Sequence, residues 1–184
     1  MKHIKDNRKF CSGFTLTELL VIISIIGIIS AVAIPAFSSW LPNYRLKKAV
    51  RDLYSNFQLA KIKAIRFNSS YRVVFTTSGS GSYGVQRPDG TYEKTINFTD
   101  YDSNGNIGFG GGSATKNATV SGGSIPGDGI SFSSNKATFN SRGMGSAGYV
   151  YLANNNGSAY AVGCWSSGIV ILKKWNAANS LWEY

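Results

Sequence analysis

Histidine and cysteine, which supply most nucleophile and general-base systems and most zinc ligands, are rare in this sequence. The chain contains one histidine, His3, and two cysteines, Cys11 and Cys164, in 184 residues. A Ser-His-Asp or Cys-His system needs a histidine beside its nucleophile, and a zinc cluster needs more ligands at closer spacing. The carboxylates are also scattered along the chain. We therefore expect that the protein is not an enzyme.

A short run of carboxylate and amide side chains matches the first half of a calcium-binding loop. Asp100, Asp102 and Asn104 occupy loop positions 1, 3 and 5, and Gly105 stands where such loops turn sharply. The twelfth position is Gly111, so the bidentate glutamate is missing. The alternative is a turn built from Asp and Asn, which favour turns in general. Calcium is therefore a candidate ligand, and no other cofactor is expected.

A glycine-rich segment, residues 79–84, matches the G-x-G-x-x-G pattern of dinucleotide-binding loops. In those loops the glycines lead into a helix whose N-terminus holds the pyrophosphate. Here the residues that follow, VQRPDG at 85–90, indicate a strand end and a turn. The local sequence therefore favours a hairpin loop over a nucleotide site.

Two groups of basic side chains could contact phosphate. The chain holds 19 Lys and Arg against 9 Asp and Glu, a formal net charge of +10. The groups are Lys47, Lys48 and Arg51 on a predicted helix, and Lys173 and Lys174 in the aromatic C-terminal region. Phosphate contacts need only Lys or Arg within reach, and aromatic neighbours suit single-stranded nucleic acid. DNA is thus a candidate partner, and the alternative is a face that is solvated or lies between subunits.

A long apolar segment holds a single charge near its start. Between Phe14 and Leu41 the only charged residue is Glu18, and Leu19–Ile34 is almost entirely apolar. A helix needs about 20 such residues to cross a bilayer. The residues before the segment are basic, so the short N-terminus is expected to stay in the cytoplasm. A charge in a membrane costs about 2.5–3.5 kcal/mol on insertion scales, which indicates that Glu18 has a partner or a function.

A secretory signal peptide is the alternative interpretation of this segment. It would be cut after small residues such as those at 30–33. However, the helical pattern resumes beyond that point, and a glutamate at the start of the apolar core would be unusual. A retained membrane helix is therefore favoured.

After Pro42 the sequence predicts an amphipathic helix and then strands. Apolar residues recur every three or four positions, as on a helix that packs one face on a core, at Leu46, Val50, Leu53, Phe57, Ala60, Ala64 and Phe67. Segments separated by Gly, Ser and Asn clusters predict strands, at 71–77, 91–98, 129–132, 136–140, 148–153, 159–164 and 168–175. The predicted fold class is α+β, with a long N-terminal helix, half transmembrane and half amphipathic, packed on a C-terminal antiparallel β-sheet.

Residues 13–20, GFTLTELL, resemble the processing signal of type IV pilins and type II secretion pseudopilins. The resemblance implies that a prepilin peptidase cuts between Gly13 and Phe14 and that Phe14 is then N-methylated. Glu18 and Pro35 stand at the offsets of the family's assembly glutamate and helix-kinking proline. Thr17 departs from the apolar residue usual at its position.

The C-terminal half resembles the H-type minor pseudopilins, the GspH and FimT group. In that group an F-x-x-x-G turn, here Phe139–Gly143, precedes successive hairpin strands. The resemblance implies a pilin-like fold and a minor pilin or pseudopilin that assembles with other subunits through its N-terminal helix. The alternative is a DNA-binding, FimT-like minor pilin for DNA uptake or surface adhesion. Whether the filament is a type IV pilus or a type II secretion pseudopilus stays open.

The expected organisation has three parts. Residues 1–13 form the leader, residues 14–41 the transmembrane and assembly helix, and residues 42–184 a globular domain with helix 43–67 and sheet 71–175. The cut would remove the only histidine, which strengthens the argument against an enzyme. The expected location is the bacterial inner membrane, crossed once with the leader in the cytoplasm, and then a periplasmic pseudopilus or an extracellular pilus.

Overall fold

The computed structural model describes residues 13–184, and at Pro35 and Ala36 it describes the backbone alone. The predicted leader therefore lies outside the described residues, except for Gly13. A single long helix, α1, spans Leu16–Arg66. The chain divides into two compact units, with the boundary between Ser39 and Trp40. The first unit holds the apolar part of α1, and the second holds the rest of α1 and every strand of the described chain.

Nine strands follow the helix. They are β1 Tyr71–Thr76, β2 Ser82–Gln86, β3 Tyr92–Asn97, β4 Ile107–Phe109, β5 Lys136–Phe139, β6 Gly148–Asn154, β7 Ala159–Cys164, β8 Val170–Asn176 and β9 Leu181–Glu183. They form a four-stranded sheet in the order β3-β2-β1-β5 and a five-stranded sheet in the order β4-β6-β7-β8-β9. Every pairing is antiparallel. Short loops suffice for most of these connections because antiparallel neighbours can be joined by hairpins.

The core lies between the amphipathic part of α1 and both sheets. Six residues of the predicted helical stripe are fully or almost fully buried there, namely Leu46, Val50, Leu53, Phe57, Ala60 and Ala64. Phe57 lies at the centre, with its ring centroid 5.9–6.1 Å from those of Phe75, Phe132 and Phe139. Phe75 and Phe139 come from the first sheet, and the same core includes Val150 and Val162 of the second. One face of the helix therefore packs against both sheets.

A long glycine-rich connection, residues 110–128, covers part of the outer face of the second sheet. The backbone N–H of Ala118 donates to the Tyr151 hydroxyl at 2.8 Å, and the Trp182 indole N–H donates to the Lys116 carbonyl at 2.7 Å. Ala118, Tyr149, Tyr151 and Ala161 form a small second core beneath it. The connection has no regular secondary structure, but its hydrogen bonds and buried Ala118 fix it to the sheet.

The α+β class and the antiparallel pairing are confirmed, and several local predictions were wrong. Phe67 is 55% exposed and lies beyond the helix, where it stacks on Tyr71. The predicted strand 129–132 is reduced to one bridge between Ile130 and Val150. Strands β2, β4 and β9 were missed because their sequences are short or rich in glycine. The strands also divide between two sheets, whereas a single sheet was predicted.

Candidate functional site

The N-terminal unit presents an apolar surface with no covering from the described chain. Its segment Leu16–Ile34 has a mean hydropathy of 2.5 and is 0% buried, and it is the one described helical segment with the length and composition to cross a membrane. Leu16, Ile28 and Val32 are each more than two thirds exposed. A contiguous apolar surface of this size is unfavourable in water and is rare on soluble monomers. The segment therefore requires lipid or other subunits around it.

Glu18 forms a capping box with Thr15 at the start of α1. Glu18 Oε2 accepts hydrogen bonds from the Thr15 backbone N–H at 3.4 Å and from the Thr15 hydroxyl at 3.3 Å. The Glu18 backbone N–H donates in return to Thr15 Oγ1 at 3.2 Å. This reciprocal pairing satisfies two donors that the first helical turn would otherwise leave free. The carboxylate also lies at the positive end of the helix dipole.

The predicted cleavage site precedes the helix. Gly13, Phe14 and Thr15 carry no regular secondary structure, and helix α1 begins at Leu16. Phe14 is 70% exposed, and a methyl group added to Gly13 would meet no atom within 4 Å. The Gly13–Phe14 bond is thus presented in an accessible, non-helical segment. Pro35 lies within the helical backbone, but its side chain is outside the described atoms, so its role as a kink stays a prediction.

The first basic group lies on the exposed face of α1. Lys47, Lys48 and Arg51 are all exposed, and the Lys48 ammonium lies 5.8 Å from the centre of the Tyr101 ring. Other basic residues of the helix are engaged: Lys63 forms an ion pair with Glu93, and Lys61 donates to the Gly168 carbonyl at 2.9 Å. Lys47, Lys48 and Arg51 therefore form a group of exposed cations on the helix, and Arg66 near its end is a further exposed cation.

The second basic group is divided by the strand that carries it. Consecutive residues of a strand point to opposite faces, so Lys173 and Lys174 do not form one patch. Lys173 lies on the outer face, where it donates to the Ala118 carbonyl at 3.1 Å and lies 5.0 Å from the Tyr184 ring centre. Lys174 is paired across the strands with Tyr160, whose pKa is raised by burial and lowered in part by the charge of Arg51. Lys174 therefore lies on the opposite face of β8 from Lys173.

Two family models cover both parts of the chain. One, described as "Type II transport protein GspH", matches residues 49–168, which is well over half of the sequence. The chain belongs to this family. The other, described as "Prokaryotic N-terminal methylation motif", matches residues 8–34 and so includes Gly13, Phe14 and Glu18. The prediction of a type IV pilin-like protein of the GspH group is confirmed.

Curated relatives of the GspH-family chain include fimbrial proteins and a prepilin peptidase-dependent protein. The type IV major fimbrial protein FimA of Dichelobacter nodosus is 32% identical over 88 residues, which are 44% of this chain and 54% of FimA. A fimbrial protein of Pseudomonas aeruginosa is 30% identical over 126 residues, 59% of this chain and 75% of the relative. Prepilin peptidase-dependent protein D of Escherichia coli K12 is 37% identical over 79 residues, 43% of this chain and 51% of the relative.

The chain spans about half the length of FimA and of the Escherichia coli protein. No solved structure matches it at a significant level. The GspH-family chain is a type IV pilin or pseudopilin that carries an N-methylation motif. Its apolar N-terminal helix and prepilin motif are consistent with anchoring in the inner membrane.

Asp100, Asp102 and Asn104, which match the first half of a calcium-binding loop, make contacts within the protein. Asp102 is 2% exposed, and it forms an ion pair with Arg45 at 3.2 Å. It also accepts hydrogen bonds from the backbone N–H of Asn104 and the side-chain amide of Asn106, both at 3.0 Å. Asp100 instead accepts from the backbone N–H of Asn97. These contacts favour the turn interpretation, and a calcium site stays an untested prediction. In the described chain no group of three His, Cys, Asp or Glu residues could hold a metal ion.

Burial raises the pKa of the Asp102 carboxyl, but the hydrogen bonds from Asn106 and Asn104 and the Arg45 guanidinium outweigh that effect. The net result is a pKa below the usual range, so the carboxylate stays charged at neutral pH. The ion pair joins Arg45 to the domain, and the Arg45 side chain remains 35% exposed.

Sequence reasoning missed a polar cluster beneath α1. The Tyr101 hydroxyl donates to Asp52 at 2.9 Å, and the Asn56 amide donates to the Tyr83 hydroxyl at 3.2 Å. Burial raises the pKa of Tyr83 to about 12. The signal in the sequence was Asn56, a polar residue on the buried face of the helical stripe. These hydrogen bonds join helix α1 to the first sheet and to the residues that follow it, and each polar group in them has a partner. The cluster therefore has a structural role.

The cysteine of the described chain, Cys164, is shielded from solvent. Cys164 is buried in β7, and burial raises the pKa of its thiol to about 11. A thiol of that pKa is protonated at neutral pH and reacts slowly. Cys164 therefore serves as a small core residue, in agreement with a structural protein.

Proposed function

We propose that the chain is made as a prepilin and processed between Gly13 and Phe14 by a prepilin peptidase, with N-methylation of Phe14. The processed protein is a minor subunit of a type II secretion pseudopilus or a type IV pilus. The leader faces the cytoplasm, and the unit that begins at Trp40 lies on the periplasmic or extracellular side. The observation that carries this proposal is the uncovered apolar helix with one carboxylate, Glu18, at its N-terminal end.

In the proposed filament, Glu18 pairs with the N-terminal amine of a neighbouring subunit. A carboxylate surrounded by apolar helices needs a compensating positive charge. Both hydrogen bonds that the Glu18 carboxylate accepts end at Oε2, and the described residues supply no partner for Oε1. One oxygen can therefore cap the helix while the other accepts from an ammonium group.

A pair of substitutions separates the capping role of Glu18 from its charge. Gln at the third helical position maintains a capping box, so Glu18→Gln retains the local hydrogen bonds and removes the charge. We expect Glu18→Gln and Glu18→Ala both to lower incorporation into sheared filaments by about tenfold or more, since an unpaired amine is then left in the apolar bundle. The measurement is quantitative immunoblotting of the filament fraction against the membrane fraction.

The matched control is Thr15→Ala, which removes the cap and leaves the carboxylate. Loss of a cap costs about 1 kcal/mol, so this variant should still assemble. Normal assembly of Glu18→Gln, together with a defect in Thr15→Ala, would show that Glu18 acts only as a cap.

A second candidate function is DNA binding by an assembled subunit. The observation in its favour is a set of exposed cations on α1 and on strand β8, namely Lys47, Lys48, Arg51 and Lys174. We expect a fragment Trp40–Tyr184 to retard single-stranded DNA in a gel and to lose most of that affinity as salt rises, because phosphate contacts release counterions. Lys174→Gln should weaken retardation, whereas Lys136→Gln, an exposed residue of the first sheet, should not. Retardation that does not change with salt would exclude a phosphate-driven surface.

A further inference from the structure

The first turns of α1 in the second unit carry aromatic residues followed by basic ones. We propose that this aromatic-basic band, Trp40, Tyr44, Lys47, Lys48 and Arg51, binds the phosphate headgroups of anionic phospholipids at the membrane surface. The inference rests on the proposed membrane anchoring, and it adds a lipid class to it. All five residues lie within a single compact unit of the protein.

The aromatic half of the band suits the boundary between lipid and water. The Trp40 and Tyr44 rings stack with their centroids 4.9 Å apart, and the side chains are 53% and 50% exposed. Trp and Tyr are enriched at membrane interfaces because each combines an apolar ring with a polar group. The pair follows the apolar segment Leu16–Ile34 closely in the sequence. An interfacial position accounts for two large aromatic side chains that are half-exposed.

The basic half of the band carries open positive charge. In the described part of the chain no carboxylate lies within ion-pair distance of Lys47, Lys48 or Arg51. The nearby Asp52 carboxylate accepts the Tyr101 hydroxyl hydrogen bond at 2.9 Å. Tyr44, Asp52 and the three cations line a depression of about 160 Å³. Because a water molecule occupies about 30 Å³ in the liquid, the depression has room for a phosphate group.

The band is held firmly on the domain. Arg45, on the same turns, is paired with buried Asp102 at 3.2 Å. Asn43 accepts hydrogen bonds from the Asn154 amide and the Ser158 hydroxyl, both at 2.8 Å. These contacts fix the inner face of the helix on the domain, and the three cations lie on its exposed outer face. A preorganised cluster loses less entropy on binding than a flexible tail would.

The distribution of charge favours lipid over nucleic acid for this group. Removal of the proposed leader takes away its four basic residues, and Glu18 is then the only charged side chain before Arg45. Arg45 is paired with Asp102, so the cations of the band are the first positive side chains after the apolar segment that have no carboxylate partner in the described chain. Polybasic segments beside a membrane helix are attracted to anionic lipid headgroups. Single-stranded nucleic acid would use the same cations and rings, and the experiment below tests it as the alternative occupant.

Native mass spectrometry of the full chain in a neutral detergent tests this proposal. The protein is titrated with phosphatidylglycerol or with zwitterionic phosphatidylethanolamine, and lipid adducts are counted. Each Lys or Arg near an anionic surface contributes about fivefold. We therefore expect Lys47→Gln/Lys48→Gln/Arg51→Gln to weaken phosphatidylglycerol binding by on the order of tenfold or more. The matched control, Lys94→Gln/Lys116→Gln/Lys136→Gln, removes the same charge from exposed positions on the sheets and the long connection and should bind as the unaltered protein does.

Three outcomes would overturn the proposal. The first is equal binding of both lipids by the unaltered chain. The second is a control variant whose phosphatidylglycerol binding falls as much as that of the Lys47/Lys48/Arg51 variant. The third is a Lys47/Lys48/Arg51 variant that loses binding of a single-stranded oligonucleotide while its phosphatidylglycerol binding is unchanged. The last outcome would assign the surface to nucleic acid. The mass of the mature N-terminus, read in the same spectra, reports on processing separately. Failure of the lipid site is therefore distinguishable from failure of the proposed pilin function.

Discussion

At the scale of single residues, Asp102 shows how a group suggested by sequence for metal binding can serve the fold. Its carboxylate is buried and satisfied by Arg45, Asn104 and Asn106. A buried carboxylate that loses its partners is costly, so these contacts hold the β3–β4 connection on the helix. The Asp and Asn pattern at 100–106 was correctly recognised as polar and turn-forming. Its ion partner could not be foreseen because Arg45 is more than fifty residues away in the sequence.

The lowered pKa of Asp102 predicts a dependence of stability on pH. A carboxyl whose pKa is lower in the folded state contributes stability above its unfolded pKa, about 3.9, and loses it as the pH falls below that value. We expect Asp102→Asn to lower the free energy of unfolding of Trp40–Tyr184 by about 1–3 kcal/mol at pH 7, since charged hydrogen bonds are lost. The difference should shrink as the pH approaches 3. Urea unfolding at several pH values measures it.

The control for this prediction is Asp128→Asn, an exposed carboxylate whose hydrogen bond to the Ile130 N–H an amide oxygen can replace. It should stay within about 0.5 kcal/mol of the unaltered protein. An Asp102→Asn variant as stable as this control at pH 7 would contradict the structural role of the ion pair.

At the scale of elements, the amphipathic part of α1 was the most predictable feature. Spacing of three and four residues identified Leu46 to Ala64 because only one face of the helix reaches the core. The predicted stripe also included Phe67, which lies just beyond the end of the helix at Arg66. The helix ends there because Asn68 takes a positive φ of 46°. Strand β2 was missed because it contains Gly84. A methyl group on that glycine would lie 2.7 Å from the Tyr92 ring, so a larger residue there would require the ring to shift.

Two substitutions on opposite faces of α1 test its packing. Phe57 is 0% exposed and touches three other phenylalanine rings, so Phe57→Ala should lower the free energy of unfolding by about 3–5 kcal/mol. Ile62 is 58% exposed, and Ile62→Ala should change it by less than about 0.5 kcal/mol. Thermal or urea unfolding of Trp40–Tyr184 gives both values. Equal effects would mean that the helix does not pack on the sheets with this face.

At the scale of the whole molecule, the two units perform different tasks. The apolar unit offers a surface that requires lipid or other helices, and the second unit has its own core of helix and sheets. The apolar run from Phe14 to Leu41 and the family motif at 13–20 predicted an N-terminal membrane helix, because both signals are local in sequence. The division into two sheets could not be predicted, since it depends on long-range pairings such as β1 with β5. The glycine-rich connection at 110–128 likewise has no pattern that indicates which sheet face it covers.

The identity of the N-terminal residue of the membrane-extracted protein tests the proposed function most directly. In the proposed function, processing after Gly13 removes the leader, leaves Glu18 in the first helical turn and precedes incorporation into a filament. Mass spectrometry of the N-terminal peptide is expected to show a chain that begins with N-methylated Phe14. A chain that begins at Met1, or one that begins near Val32 after signal-peptide cleavage, would contradict it.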